Sequence, residues 1–395
     1  GMATPEEKKL LPVFRSRIQD LDALDDEDKT EKHLLRWLRA RDLDVSKAEE
    51  MIRKSMDWRR QNRIDDSLLT FKSPAFYKQH YWISVTGYDG EGCPVIFAPF
   101  WDIRPVATSQ RATFVRYVDQ IIYKIATHCK ARGITQFIIV FDLEGFEWKH
   151  LKSRAAIEVL LELVRNFEDN YPEALKSATA INAPKIFTIL FNLIKPLLTA
   201  RTLAKVQICG TNAEKWKAVL LDKIPSNRLP VKYGGILQDE DVPVIIDASF
   251  LPQSQTLRNV GEGSAKISGH GDGIKLLDAV EAPHRDGEEE DDWLSIQVGA
   301  GEKFDVELHV PRPDTLLRWS FSADNNDIGF VVQLKNGNTI VPYERREQQD
   351  GTVICSQPGI YLCTFDNTFS RFRAKLVKYL IQTVSSPKIN PNLPL

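Results

Sequence analysis

The side chains that could do chemistry are scattered along this chain, and their spacing matches no reactive constellation. The seven histidines (33, 80, 128, 150, 270, 284 and 309) lie far apart. No His-Glu-x-x-His and no Cys/His ligand spacing occurs, so no metal centre is expected. The five cysteines, Cys93, Cys129, Cys209, Cys355 and Cys363, are odd in number and form no Cys-x-x-Cys. They read as buried free thiols of a cytosolic protein, not a disulfide framework. There is no Gly-x-Ser-x-Gly elbow and no Gly-x-x-x-x-Gly-Lys-Ser/Thr loop to cradle phosphates. The glycines at 261, 263, 269, 271 and 273 follow no strand and read as flexibility. The expectation is a binding protein, not an enzyme, with no catalytic residue, metal or cofactor to assign.

The chemistry that stands out is solvation. Residues 184–205 carry Ile186, Phe187, Ile189, Leu190, Phe191, Leu193, Ile194, Leu197 and Leu198, which fall nearly all round a helix. A helix with no polar face is either wholly buried or faces lipid. The charges here are Lys185, Lys195, Arg201 and Lys205, with no acid. A cationic, apolar segment suits an anionic bilayer surface. Pro196 breaks or kinks the helix, as a movable lid requires. A plain core helix is the alternative reading. The stretch is interrupted by Thr188, Asn192, Lys195 and Pro196 and falls short of the ~20 apolar residues that cross a bilayer.

The elements that must position this segment follow from periodicity. Residues 5–63 read as helices. Leu34, Leu35, Trp37, Leu38 and Leu43 recur at helical spacing, and Ala48, Met51, Ile52 and Met56 continue it in a second helix. Strands expected at 81–85, 95–97, 137–142, 178–181 and 206–209 alternate with helices at 111–130, 151–170 and 184–205. That alternation predicts a mixed, mainly parallel sheet with helices against it. From 293 to 384 the pattern changes to seven short strands, at 295–298, 304–310, 317–321, 329–334, 353–355, 359–365 and 374–384. Asn336-Gly337, Asp350-Gly351 and Pro358-Gly359 read as the turns between them. This is an all-β sandwich. The domains expected are a helical lobe at 1–70, an α/β domain at 71–250, a linker at 251–291, the sandwich at 292–385 and a tail at 386–395. The acidic run at 286–292 keeps the linker solvated.

The chain is 395 residues long with a net charge of -2, so no global field points to nucleic acid. Residues 29–63 hold eleven Lys/Arg against six acids. They form either a solvated face or a membrane-docking face. Of the tryptophans at 37, 58, 82, 101 and 148, one is a candidate to line a cavity and the rest read as core. The N-terminus is polar and no apolar run precedes a cleavage site, so no secretory signal is expected.

Several motifs carry a resemblance. Leu-Leu-Arg-Trp-Leu-Arg-Ala-Arg-Asp-Leu-Asp-Val at 34–45, Asn-Tyr-Pro-Glu at 170–173, Ile-Asn-Ala-Pro at 181–184, Ile-Lys-Pro at 194–196 and Leu-Pro-Val-Lys-Tyr-Gly-Gly at 229–235 resemble the CRAL-TRIO family of lipid transfer proteins. Leu-Arg-Trp-Ser-Phe at 317–321, Asp-Ile-Gly-Phe at 327–330, Pro-Gly-Ile-Tyr at 358–361 and Phe-Asp-Asn-Thr at 365–368 are similar to a GOLD domain. Both in this order resemble the supernatant protein factor and tocopherol-associated protein group. The resemblance implies a CRAL-TRIO domain with a gating helix, then a GOLD jelly-roll-like sandwich. It implies a lipid held between a sheet floor and a gate made by Ile186, Phe187, Leu190, Phe191, Ile194, Leu197 and Leu198. By the family's pattern, Glu173, Thr202, Lys205 and Arg41 match head-group ligands, although Asp42 follows Arg41 where phosphoinositide binders often carry lysine. Phe137, Ile139 and Phe141 match the pocket-lining strand. Phe137 and Ile139 stand where the phosphatidylcholine-binding relative has hydroxyl residues, or are ordinary packing of a buried strand. The cargo implied is phosphatidylinositol or an isoprenoid such as tocopherol or squalene. The partners implied are that lipid, a transient anionic membrane and a protein contact through the GOLD domain, for a cytoplasmic monomer peripheral on Golgi or endomembranes. An adaptor regulated by lipid and acting through its GOLD domain is the alternative.

Overall fold

A computed structural model describes residues 1–66, 71–74, 76–238, 244–245, 293–324 and 326–384. The linker expected over 251–291 and the tail from 386 lie outside the described residues. The chain divides into two compact units. The first holds Gly1–Lys72, Ile83–Phe100 and the α/β region that begins at Ala112. The second holds Ser73–Trp82, Trp101–Arg111 and the C-terminal β region.

The first unit opens with helices α1 (Pro5–Arg17), α2 (Glu31–Ala40) and α3 (Val45–Gln61). Thr4 and Glu7 start α1 as a capping box. The Thr4 hydroxyl accepts from the Glu7 amide at 3.2 Å and the Glu7 carboxylate from the Thr4 amide at 2.9 Å. Asp44 caps α3 by accepting from the Lys47 amide at 3.0 Å. Leu34, Leu35, Trp37, Leu38, Ala48, Met51, Ile52 and Met56 are buried together with Leu11, Phe14 and Ile18. Each large aliphatic removed from water contributes about 1.5–3 kcal/mol. The lobe's own carboxylates answer much of its positive charge. Arg39 pairs with Glu7, Arg53 with Asp20, Lys54 with Glu50, Arg59 with Asp65, Arg60 with Asp57 and Arg63 with Asp66.

Along the chain follow α4 (Tyr77–His80), β1 (Ile83–Tyr88), β2 (Pro94–Pro99), α5 (Arg104–Ser109), α6 (Arg111–Ala131), β3 (Phe137–Asp142), α7 (Trp148–Leu151), α8 (Arg154–Asn170) and β4 (Leu175–Ile181). Then come α9 (Phe187–Ile194), α10 (Ala200–Leu203), β5 (Val206–Ile208), α11 (Ala213–Lys223) and β6 (Val244–Ile245). The sheet order is β5-β4-β3-β2-β1-β6. Strands β2 to β5 are parallel, while β1 runs antiparallel to both β2 and β6. This is the mixed, mainly parallel sheet expected. The 184–205 segment is not one helix. After α9, Pro196 lies in a 3-10 turn at Lys195–Leu197, and α10 starts afresh from a Thr199 cap.

One face of the sheet is closed. Val95, Phe97, Ile138, Val140 and Ile181 pack with Trp216, Leu220, Ile224, Leu229 and Tyr233. The 229–235 motif is a packing device there. A Cβ on Gly235 would lie 1.9 Å from the Leu229 carbonyl oxygen, so only glycine fits. Tyr233 stacks on Phe97 at 4.9 Å and donates its hydroxyl to buried Asp142 at 2.8 Å.

The second unit is a sandwich of two four-stranded antiparallel sheets. The strands are β7 (Leu294–Val298), β8 (Lys303–Val310), β9 (Thr315–Ala323), β10 (Ile328–Leu334), β11 (Thr339–Arg346), β12 (Gln348–Cys355), β13 (Gly359–Asp366) and β14 (Lys375–Val384). The sheet orders are β11-β10-β13-β8 and β12-β9-β14-β7. Phe321, Phe330, Phe365 and Tyr379 form its aromatic centre, with ring centroids 5.0–5.3 Å apart from neighbour to neighbour. The segments Ser73–Trp82 and Trp101–Arg111 complete this unit. Arg104 grips Asp102 and lies over the Phe304 ring at 5.1 Å, and Trp82 meets His309 at 5.8 Å.

Two features of the sandwich differ from expectation. Strand β11 is an eighth strand that the sequence hides, because Pro342 and a nearly continuous exposed run, Tyr343 to Arg346, break the alternation. It is an edge strand, where proline is tolerated. Asp350-Gly351 is not a turn but the middle of β12. Gly351 pairs with Trp319 across the ladder, and a Cβ there would sit 2.1 Å from the indole. The glycine makes room for a side chain on the neighbouring strand. Gly351→Ala should therefore destabilise the sandwich by about 1–3 kcal/mol, read as a lowered thermal midpoint. An unchanged midpoint would show that the indole moves aside freely.

Candidate functional site

The sheet's other face is only partly covered by the described residues: Ile96, Ala98, Ala178 and Ala180 are buried, but other side chains on it are not. Cross-strand register places Ile96, Ile139, Ala178 and Val206 in one row and Ala98, Phe141, Ala180 and Ile208 in the next. All eight side chains are apolar. Yet Phe141, on a central strand, is 41% exposed and Ile208 38%, and Ile139 is only half-buried. A residue at that position in an ordinary parallel sheet is buried on both faces.

The helices beside this unit's apolar interior are also under-packed. Helix α8 presents Ile157, Leu160, Leu161, Leu163, Val164 and Phe167 at helical spacing. Among its 17 residues only Ala156 and Val159 are fully buried. Helix α9 buries Phe187 and Leu190 against Phe146 and Leu151, with Phe191 and Ile194 half-covered, while Ile189 and Leu193 are 47% and 46% exposed. Its exposed residues, Thr188, Ile189, Asn192 and Leu193, lie between exposed Lys185 and Lys195, with no acid. Leu197 and Leu198 are half-buried, as is Ile186. Trp148, at the start of α7, is 54% exposed. Phe137 is buried edge-on to Phe167, with ring centroids 6.2 Å apart.

The polar end of the site is built around Glu173. This residue sits in the left-handed region at φ 57°, a conformation that costs a non-glycine residue on the order of 1 kcal/mol. Its carboxylate takes both prongs of Arg201, at 2.8 and 3.0 Å, and Lys205 at 3.3 Å. Burial alone would raise its pKa, but hydrogen bonds from Arg201 and the charge of Lys205 outweigh it and hold the carboxyl below its ordinary range. Thr202 donates to Glu168 at 2.8 Å, and Glu168 also accepts the Thr199 amide at 2.9 Å. The structure thus pairs Glu173 with Lys205, while the Thr202 side chain turns to Glu168 instead. Arg41 stands apart. Its guanidinium donates to the Ala40 carbonyl at 2.9 Å. Arg39 feels the charges of Glu173 and Arg201 instead.

Two crevices flank this end. One, of about 510 Å³, is lined by Thr30, Lys32, Leu35, Arg36, Arg39, Gln136 and Glu173. The other, of about 680 Å³, includes His33, Arg36, Ser55, Arg59, Tyr123, Phe137 and Tyr171. Arg36 borders both, and burial pulls its pKa down to about 10.

Two family models match this chain: the CRAL/TRIO domain over residues 78–235 and the CRAL/TRIO N-terminal domain over residues 9–54. Together they cover just over half of the chain. The chain belongs to the CRAL/TRIO family. That family binds and transfers lipophilic ligands. Protein real-time from Aedes aegypti is 23% identical over 345 residues, 84% of this chain and 50% of that protein. CRAL-TRIO domain-containing protein T23G5.2 from Caenorhabditis elegans is 26% identical over 335 residues, 82% of this chain and 43% of that protein. The chain spans about half the length of these relatives. Among solved structures, Sfh5 aligns with a TM-score of 0.49 at 15% identity, over 60% of this chain and 90% of that one. Among the described residues of this CRAL/TRIO chain, no helix is long and apolar enough to cross a membrane.

Sequence reasoning passed over Arg201, Glu168 and Arg39. Arg201 was legible as a cation in an acid-free run, but its partner lies 28 residues away and only the fold joins them. A further buried group, Asp119 on α6, was also silent. Burial pushes its carboxyl up to about 7, and Asn166 offers only 3.5 Å hydrogen bonds to its two oxygens.

Two pH-linked outcomes follow. Burial favours the neutral form of Asp119, so the stability of this unit should fall as pH rises from the ordinary carboxylate range through about 7. Asp119→Asn should melt above wild type at pH beyond 7 and with it near pH 4, by thermal denaturation followed by circular dichroism. Glu173 carries the opposite sign. Its pairing stabilises above the ordinary carboxylate range and is lost as pH falls. Glu173→Gln, which leaves Arg201 and Lys205 facing each other, should cost about 1–3 kcal/mol near pH 7 and little in acid, measured by urea unfolding at both pH values.

Proposed function

We propose that this chain binds and transfers a lipophilic molecule held against the open sheet face, with the segment from Ile186 to Leu198 as its gate. The observation that carries the reading is the exposed Phe141 on a central strand, amid a floor of eight apolar side chains. An apolar surface of this kind costs about 25 cal/mol per Å² while wet, and a lipid relieves that cost. The small side chains Ala178 and Ala180 beside Ile139 and Phe141 leave room above them.

The ligand favoured is one with a small, weakly polar end, such as an isoprenoid of the tocopherol or squalene kind. The floor offers no hydrogen-bonding side chain, and Arg201 and Lys205 both already donate to Glu173. Phosphatidylinositol would need Arg201 or Lys205 to leave Glu173 and take the phosphate. The acid-free outer side of α9 supports docking on an anionic bilayer, where the gate opens and the lipid never meets water. The β-sandwich, read as a GOLD domain, then acts as the targeting module at endomembranes.

Ile189→Glu with Leu193→Glu tests the gate. Both side chains are already exposed, so the fold should survive. Transfer between vesicles should drop by at least about tenfold, since each substitution removes roughly 1 kcal/mol or more of interfacial attraction. Lipid occupancy, read by native mass spectrometry after incubation with a cell lipid extract, should stay at the wild-type level. Wild-type transfer by the double variant would remove the gate, and absence of any bound lipid would remove the carrier.

A further inference from the structure

The turn between β13 and β14 presents a ring that the described chain leaves bare. Residues 367–374 read Asn-Thr-Phe-Ser-Arg-Phe-Arg-Ala, without an acid. Phe372 is 92% exposed, and Arg371 and Arg373 on either side of it are exposed too. Neither arginine has a carboxylate within ion-pair distance among the described residues.

This turn is firmly built. Asn367 is fully buried, and its side-chain amide donates to the carbonyls of Val298 at 3.2 Å, Gly299 at 3.0 Å and Arg373 at 2.8 Å. The Ser370 hydroxyl donates to the Arg373 carbonyl at 3.0 Å and accepts from its amide at 3.3 Å. Phe369, the other ring of the turn, is clamped between Arg345 and Lys375, at 3.6 and 4.1 Å from its centroid. The backbone is therefore held at both ends while one aromatic side chain is pushed into water.

Single exposed apolar residues are ordinary. Here the surroundings set the chemistry of what covers the ring. The nearby carboxylates are largely engaged: Asp327 by Arg345 and Lys375, and Asp366 by Lys303 at 3.1 Å. Glu302 and Asp324 lie on the adjoining turns. Glu302 joins the loop through its carbonyl, which accepts the Asn367 amide, and Asp324 donates its amide to the Leu376 carbonyl. The free charge at the tip is positive, and it brackets an apolar wedge. An aromatic ring with guanidinium groups on both sides fits the boundary between lipid phosphates and acyl chains.

We propose that residues 367–374 are a membrane-docking loop that inserts Phe372 into an anionic bilayer, with Arg371 and Arg373 on the lipid phosphates. The loop belongs to the second unit and does not depend on the lipid-carrier reading of the first.

The test uses the full chain, sedimented with vesicles of phosphatidylcholine alone or mixed with phosphatidylserine. Phe372→Ala should weaken partition to the mixed vesicles about tenfold, and Phe372→Trp should restore it. Arg371→Glu with Arg373→Glu should weaken it by more than about tenfold, and wild type should bind phosphatidylcholine alone far less. All three side chains are exposed, so melting temperatures should match. Wild-type partition by both the alanine and the glutamate variants overturns the proposal. So does equal wild-type binding to both vesicle types, which would remove the phosphate contacts. Lipid occupancy by native mass spectrometry should be unaffected in these variants, so failure here leaves the carrier reading standing, and the reverse.

Discussion

The first unit is arranged around an apolar surface that its described side chains cover only in part. A normal core is filled to the density of an organic crystal. Here the sheet closes that way on the side of Trp216 and Tyr233, whereas on the side of Phe141 the described residues cover it only in part. Small residues at 178 and 180, half-buried leucines along α8 and a broken 184–205 segment all work in the same direction. Each would be a packing fault in a protein whose sole task was to stay folded. Together they keep an interior surface ready for an apolar occupant, and the stability lost there is recovered in the closed face, the helical lobe and the aromatic sandwich.

The parts of this arrangement that were legible in the sequence are those set by local periodicity. The helical lobe showed in the 3.6-residue rhythm of Leu34, Leu38, Met51 and their neighbours, and the parallel strands showed as short apolar runs. Both rest on side chains that repeat against one surface. The glycine at 351 misled because Asp-Gly is a turn signal by local rules, whereas here it answers the bulk of Trp319 on the adjoining strand. Strand β11 was invisible because an edge strand needs neither alternation nor freedom from proline. Nothing local indicates that Ser73–Trp82 and Trp101–Arg111 group with the β-sandwich, since that follows from contacts such as Arg104 with Phe304. The open face escaped for a related reason. Phe141 sits in an apolar run that looks like any buried strand, and exposure is a property of what is missing on the other side.

The polar end shows how one chain can change the balance of a shared layout. Lys205 lies on the Glu173 carboxylate while Thr202 turns to Glu168, and Arg201 adds a second cation to Glu173. A buried or half-buried pair of this kind gains little net stability over its desolvation cost, yet it fixes geometry. With two cations on one carboxylate, the cluster carries one positive charge in excess, but both cations already donate to Glu173. An anionic head group must therefore compete with an existing bidentate contact, whereas a neutral lipid need not disturb it.

The physical difficulty for any carrier of this sort is release. Moving an acyl chain into water costs ~0.8 kcal/mol per CH₂, so two chains of about sixteen carbons cost on the order of 25 kcal/mol. A barrier near that size makes escape through water very slow, and a cavity that opened freely in solution would collapse or bind indiscriminately. Opening has to be coupled to a surface that accepts the lipid directly. A segment without acids, with apolar side chains already facing outward and lysines at 185 and 195, is attracted to such a surface by both its charge and its apolar area. In the proposed carrier the same attraction would favour the conformation in which the segment leaves the interior, so docking and opening would become one equilibrium. On the proposed reading, a membrane shifts that equilibrium only by as much as it prefers the open form over the closed one, so control of transfer would lie in the outer face of α9 and not in the floor that holds the lipid.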